Sequence, residues 1–189
     1  MRRVLVVLAL LLCSPAGAHE LADNRATLVL RDGRHLTMTL YIAWAEALHA
    51  ALAPKRPPAE FLAIYSAMKP EDLQKQLSRA QAGFQAATRL YLAEGPELSL
   101  SNWVWPDAKQ VQDLLRQRMM QAMVDPGNGG SGGHSHEEPV EIRADAVAPR
   151  EITSVRVRFP EEFRNVLVVA YRPSQLWVEP RTLSPAIRF

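Results

Sequence analysis

Two runs of apolar and β-branched residues, separated by an Asp-Gly pair, set the pattern near the start of the chain. They extend from Ala26 to Ala43, with Asp32-Gly33 between them. An Asp-Gly pair in this position is typical of a β-hairpin, because a tight type I′ turn needs positive φ at its central residues. The second run alternates with period two, so one of its faces is expected to lie in the core. That face carries Leu36, Met38, Leu40 and Ile42.

The pattern then changes to a helical period. An alanine-rich helix is predicted over residues 43–53, and Pro58 and Pro70 each suit the first turn of a further helix. The apolar stripe of the second helix is Phe61, Ile64, Tyr65 and Met68, and that of the third is Leu73, Leu77, Ala80, Phe84 and Ala87. Asp107 is a plausible N-cap for a fourth helix that extends to about Met123. Its predicted buried residues are Val111, Leu114, Leu115, Met119 and either Ala122 or Met123.

Strand-like segments follow the third helix and fill the last part of the chain. Leu90 and Leu92 are expected to point inward, and the segment after the turn at residues 94–96 carries Leu98, Leu100, Trp103 and Trp105. Residues 141–147 and 152–159 alternate, and residues 175–178 form a last short strand. The continuous apolar run from Val166 to Tyr171 predicts a central strand buried on both faces. The fold class is therefore α+β, with an antiparallel or mixed sheet of about eight short strands, or a sandwich of two sheets, and inserted helices.

The first 18 residues have the pattern of a secretory signal peptide. Arg2 and Arg3 precede an apolar stretch from Val4 to Leu12, and Ala16-Gly17-Ala18 is a small-x-small cleavage site. We expect Sec-dependent export to the periplasm and cleavage after Ala18. Removing 18 residues from 189 leaves 171, which suits one domain over residues 19–189. No integral membrane segment is expected after cleavage.

Cleavage would also change the cysteine content and the charge. The single cysteine, Cys13, leaves with the leader, so the core would have to stabilise the exported protein without a disulfide. Loss of Arg2 and Arg3 reduces Lys plus Arg from 22 to 20, which equals the 20 Asp plus Glu. A formal net charge of zero gives no reason to expect nucleic acid as a partner.

A histidine at the new N-terminus is the sharpest candidate for chemistry. The α-amine and imidazole of His19 would form a two-nitrogen chelate, which suits copper. Further ligands are available in the segment 125–139, a predicted flexible loop within the domain that has almost no apolar residue. His134 and His136 lie there, followed by the carboxylates of Glu137 and Glu138. Loop histidines are, however, often only solvated, so His-x-His is a weak metal pattern by itself.

Other polar and aromatic candidates have simpler structural interpretations. His35 is expected at a solvated strand end and His49 on a helix surface, three residues after Glu46. Glu161-Glu162 is expected to face solvent in a turn. Trp103 and Trp105 could stack on a sugar or a peptide, although alternate tryptophans on a strand are more often part of a core. The sequence contains no nucleophile elbow, phosphate-binding loop, dinucleotide fingerprint or His-Glu-x-x-His motif.

Ala18-His19-Glu20-Leu21, followed by a strand, resembles the start of many uncharacterised exported bacterial proteins. It is also similar to the soluble segments at the start of some membrane proteins related to nickel permeases and to hydrogenase or urease accessory families. Copper-resistance carriers also can begin with histidine. An accessory role in an envelope or transport system is expected because the chain has an export signal and no recognisable catalytic constellation.

We therefore expect a soluble periplasmic, non-enzymatic binding or accessory protein of the cell envelope. The alternative is a periplasmic binder of copper or another transition metal that uses His19, His134 and His136. A third hypothesis is an enzyme that acts on envelope polymers through residues that only folding brings together. An exposed apolar patch would favour the binding protein, and a cleft with perturbed carboxylates would favour the enzyme.

Overall fold

The predicted α+β class is confirmed. The computed structural model describes residues 24–93, 95–124, 139–173 and 180. These form eight strands: β1 Asn24–Leu30, β2 His35–Ile42, β3 Arg89–Leu92, β4 Glu97–Leu98, β5 Leu100–Val104, β6 Val140–Val147, β7 Val155–Arg158 and β8 Val166–Tyr171. The helices are α1 Trp44–Leu52, α2 Pro58–Ser66, α3 Pro70–Ala87 and α4 Ala108–Val124, with a 3-10 turn at Glu161–Phe163.

The eight strands form two sheets. The larger one has the order β5-β6-β2-β1-β8, and the smaller one has the order β4-β3-β7. The larger sheet is mixed, because β8 lies parallel to β1 while the pairs β1–β2, β2–β6 and β5–β6 are antiparallel. The first hairpin and the last strands thus share one sheet, as expected from hairpins that cannot bury a face alone.

The predicted hairpin is confirmed, but its tight two-residue turn is wrong. Gly33 has φ of 84°, whereas Asp32 is not among the residues with positive φ. A type I′ turn needs both. The N–H of Arg31 donates to the carbonyl of His35 at 2.9 Å, so the loop is longer than two residues. The Asp32 side chain holds this loop by accepting hydrogen bonds from the N–H groups of Arg34 and His35.

The inner face of β2 lies at the centre of the core, as its alternation predicts. Met38, Leu40 and Ile42 are fully buried, and Leu36 is nearly so. Burying such a side chain stabilises the fold by about 1.5–3 kcal/mol each. They belong to one buried cluster with residues from α1, α3 and α4, namely Trp44, Leu73, Leu77, Phe84 and Leu115.

The helix starts follow the local sequence signals. Proline occupies the first turn of α2 and of α3. Asp107 is the N-cap of α4: its Oδ1 accepts the N–H of Gln110 at 2.7 Å, and Gln110 Oε1 accepts the N–H of Asp107 at 3.0 Å. This reciprocal pair satisfies two N–H groups at the helix start.

The apolar stripes of the helices are confirmed only in part. Leu73, Leu77, Ala80 and Phe84 are buried in α3. Ile64 of α2 and Met123 of α4 are exposed, however, because none of the described elements covers those sides of the helices. A buried polar residue, Gln112, was not predicted; its Nε2 donates to the carbonyl of Met68 at 2.7 Å and links α4 to the end of α2.

Candidate binding surface at the β8 edge

The prediction that Val166–Tyr171 is buried on both faces is wrong, and the strand predicted at residues 175–178 lies outside the described residues. β8 is the last strand of the larger sheet, and no strand among the described residues pairs with its outer side. Its Leu167, Val168, Val169 and Tyr171 are 40–52% exposed. A continuous apolar run indicates a strand but does not say which strands will flank it, so the sequence could not distinguish a central position from an exposed edge.

β8 lacks the features that usually protect an edge strand. Its sequence, Val-Leu-Val-Val-Ala-Tyr, contains no charged residue, proline or glycine. Natural proteins blunt such edges with charges, bulges or short strands, because unpaired N–H and C=O groups invite pairing with another chain. A six-residue uncharged edge is therefore exceptional.

Each of the other edge strands of the two described sheets has one of these protections. β5 pairs irregularly with β6 between Ser101 and Val104, and Asn102 has φ of 52° there. β4 has only two residues. β7 has the sequence Val-Arg-Val-Arg, with both arginines exposed. β8 thus differs from the three other edges of the same protein.

Asn24 fixes the point at which β8 enters the sheet. Its Nδ2 donates to the carbonyl of Phe163 at 2.6 Å, and its Oδ1 accepts the N–H of Ala43 at 2.7 Å. Phe163 is fully buried, with its ring centroid 5.0 Å from that of Phe84. One buried amide therefore joins β1, the start of α1 and the chain just before β8, so β8 starts from a rigid anchor.

Ion pairs hold both ends of the edge. Arg164 Nη1 lies 2.9 Å from Glu46 Oε2, before β8 begins. Arg172 Nη2 lies 3.1 Å from Glu151 Oε1, directly after β8 ends. Charged side chains thus lie at both ends of the uncharged strand. Glu46 contacts Arg164, which gives this carboxylate a structural partner other than His49, three residues along α1.

The tryptophan pair belongs mainly to the core. Trp103 and Trp105 stack with ring centroids 5.1 Å apart and an interplanar angle of 11°. Trp105 also packs against Trp44, at 5.8 Å between centroids, and against Phe84. A pocket of about 390 Å³ borders Trp105, Pro106, Val111 and Val140. Since aromatic neighbours already occupy the ring of Trp105, the pair does not present two open stacking faces to a ligand.

The predicted metal ligands His19, His134 and His136 lie outside the described residues, as do Glu137, Glu138, the leader and the strand at 175–178. Of the predicted loop 125–139, only Pro139 is described. Within the described ranges no group of three His, Cys, Asp or Glu side chains is arranged to hold a metal ion. The metal site therefore stays a prediction.

The described histidines have structural partners. The His35 ring nitrogen Nδ1 contacts the carboxylate oxygen Oδ2 of Asp32 at the hairpin loop. Hydrogen bonds from the backbone and side chain of His35, and from the backbone of Arg34, lower the pKa of Asp32 from 3.8 to about 2. The His49 ring nitrogen Nε2 lies 2.8 Å from the carbonyl oxygen of Arg56, and its ring packs on Phe61. These contacts account for both side chains within the fold.

Comparison of the chain with protein-family models, with curated proteins and with solved structures finds no match. In the described part of the chain, none of the helices combines the length and the hydrophobicity needed to cross a membrane.

Proposed function

We propose that this chain is an exported, non-enzymatic binding protein of the periplasm that serves as an accessory to another envelope protein. In this proposal it binds an extended, apolar segment of that partner by adding it as a strand beside β8. The observation that carries the proposal is the uncharged strand β8, whose apolar side chains are exposed and whose outer side pairs with no strand in the described ranges.

Strand addition uses the chemistry that this edge offers. Unpaired backbone N–H and C=O groups provide hydrogen bonds for a partner strand, and alternate side chains provide specificity. Leu167, Val169 and Tyr171 project to one face of the sheet, and Val166, Val168 and Ala170 to the other. A partner segment of about six residues with β-branched or aromatic side chains would match both faces.

The rigid attachment of β8 also supports a binding role. A strand that is already fixed loses little conformational freedom when a partner pairs with it, so less of the interaction energy is spent on ordering. Asn24 and Phe163 supply this attachment at one end. The ion pair between Arg172 and Glu151 adds a weaker one at the other.

Export is supported by the sequence alone. The arginines, apolar stretch and small-x-small site of residues 1–18 have the order of a signal peptide. The only cysteine lies in that leader, so the exported chain would have no thiol for an oxidising compartment to convert to a disulfide. The resemblance of Ala18-His19-Glu20-Leu21 to exported accessory segments suggests the same location.

Photo-crosslinking in the native host tests this function. A photoreactive amino acid is placed at Val168 or Val169, and a matched control carries it at Val104 of β5, which is 60% exposed on the opposite edge of the same sheet. We expect β8 positions to crosslink to one discrete envelope protein and Val104 not to. Crosslinking of the same products from all three positions, or from none, would contradict strand addition.

A further inference from the structure

We propose that the edge of β8 is occupied, in the absence of another partner, by β8 of a second copy of this chain in antiparallel orientation. This inference rests on the proposed function, because both use the same edge. The homodimer and the complex with an envelope partner are then mutually exclusive, and dimerisation keeps the edge covered until the partner arrives.

The Val166 end of the edge carries an excess of negative charge. In the described part of the chain, acidic side chains there outnumber basic ones: Glu46, Glu161 and Glu162 against Arg164. Arg25 of β1 lies beside Leu167 in register, but its guanidinium carbon is 4.6 Å from the ring centroid of Tyr41 on β2. The guanidinium of Arg25 therefore lies toward β2 and away from the outer side of β8.

The Tyr171 end carries an excess of positive charge. The hairpin loop lies beside Arg172, since a Cβ on Gly33 would come within 3.4 Å of Arg172 Nη2. Among the described residues, the charged side chains near this end are Arg31, Arg34 and Arg172 against Asp32 and Glu151. Arg150 points toward the smaller sheet, where its Nη2 approaches the Cα side of Gly95. The two ends of β8 thus have opposite net charge.

This polarity makes β8 complementary to itself. A two-fold axis through the middle of an antiparallel β8–β8 pair would place the acidic end of each copy beside the basic end of the other. A parallel pair would place like charges together. Exposed charges interact only over about 8–10 Å at moderate salt, so they select the orientation, while backbone hydrogen bonds and apolar side chains supply the affinity.

β8 itself has the properties that a strand pairing with β8 needs. It is uncharged over six residues, rich in β-branched side chains, and flanked by acidic residues before it and a basic residue after it. A two-fold axis yields an isologous contact that closes at two copies, so pairing produces a dimer and not a fibre. Near the axis, Val168 or Val169 would lie opposite its own counterpart.

Sedimentation analysis of the purified protein processed after Ala18, over a range of concentrations, gives the first test. We expect a concentration-dependent monomer–dimer equilibrium. The double variant Val168→Lys/Val169→Lys places lysines opposite each other whether Val168 or Val169 lies at the two-fold axis. Its dimer dissociation constant should therefore rise at least about tenfold. Val104→Lys, on the opposite edge, should leave the constant unchanged. Circular dichroism of each variant verifies that the fold persists.

Single cysteines locate the contact. In the chain processed after Ala18, which lacks Cys13, mild oxidation of Val168→Cys or Val169→Cys should yield a disulfide-linked dimer for the variant nearest the axis, since cross-strand Cα distances are about 4.5–5.5 Å. Val104→Cys should stay uncrosslinked.

A monomer at all concentrations, or a dimer insensitive to the double lysine variant, would overturn the inference. The proposed function is judged separately by crosslinking in the host. A monomeric protein that still crosslinks to an envelope protein from β8 would refute the dimer alone. A β8 dimer whose β8 positions crosslink only to a second copy would refute the accessory function alone.

Discussion

Asn24 and Phe163 are joined by a buried hydrogen bond across 139 residues of sequence, from the side-chain Nδ2 of the first to the carbonyl oxygen of the second, at 2.6 Å. The same side chain accepts the N–H of Ala43. Three segments far apart in the chain are therefore held at one point, and this point determines where β8 starts. The arrangement makes Asn24 a structural residue whose loss should also loosen the proposed binding edge.

Replacing Asn24 by Ala should destabilise the protein. The substitution leaves a buried carbonyl and a buried N–H without partners, and each such group costs about 1–3 kcal/mol. We expect a decrease in the free energy of unfolding of about 2–4 kcal/mol in urea denaturation. Gln74→Ala is the control, because this exposed helical side chain bonds only to Ser78. Similar losses in both variants would show that the buried amide has no special role.

Two glycines should respond in opposite ways to alanine. Gly33 has φ of 84°, where an L-residue is strained by about 1–2 kcal/mol, so Gly33→Ala should lower stability by that amount. Gly83 lies inside α3, and a Cβ there would meet nothing within 4 Å. Gly83→Ala should raise stability by about 0.5–1 kcal/mol. Thermal or urea unfolding of the two variants measures both changes, and a stabilising Gly33→Ala would refute the assigned loop conformation.

Stability should fall in acid partly through Asp32. Its pKa in the folded protein is about 2, below the ordinary 3.8, chiefly because the backbone N–H of His35 bonds to its carboxylate. A pKa lowered by folding contributes stability that is present above about pH 4 and is lost as the pH falls toward 2. Urea unfolding of Asp32→Asn and the unmodified protein between pH 2 and 5 should show curves that converge at low pH. Curves that stay parallel throughout would contradict this assignment.

The copper hypothesis requires the free amine of His19. Copper titration of protein processed after Ala18 is compared with a variant that carries one additional residue before His19. If the α-amine is a ligand, the processed form should bind tightly and the extended form should lose most of its affinity, because the two-nitrogen chelate can no longer form. A third sample, His134→Ala/His136→Ala, tests the loop histidines. Equal affinity of the processed and extended forms would eliminate this site.

Local patterns predicted much of the fold. The alternation of β2 gave its buried face, Leu90 and Leu92 were correctly expected inside β3, and Asp107 caps α4 as its sequence indicates. Each of these features depends on residues within a few positions of one another. They are therefore visible in the sequence before the tertiary structure is known.

The candidate site could not be predicted in the same way. The apolar composition of β8 is compatible with a central strand, and only the order of the described strands places it last in its sheet. Asn24 and Gln112 are polar, so their sequence does not predict burial. They are buried because the amide of each side chain donates to a carbonyl group far away in the chain. Tertiary contacts of this kind leave no periodic signal in the sequence.

The parallel pairing of β1 with β8 has a consequence for the order of folding. Residues 24–29 of β1 pair on one side with residues 166–171 of β8. Since β1 is synthesised long before β8, this pairing can form only after β8 has been made. β1 can pair with β2 early, since only a short loop separates them, but its other side stays unpaired until nearly the whole described chain has been made. Since the ribosome releases the amino terminus first, the nascent hairpin keeps one unpaired side of β1 until β8 has been made.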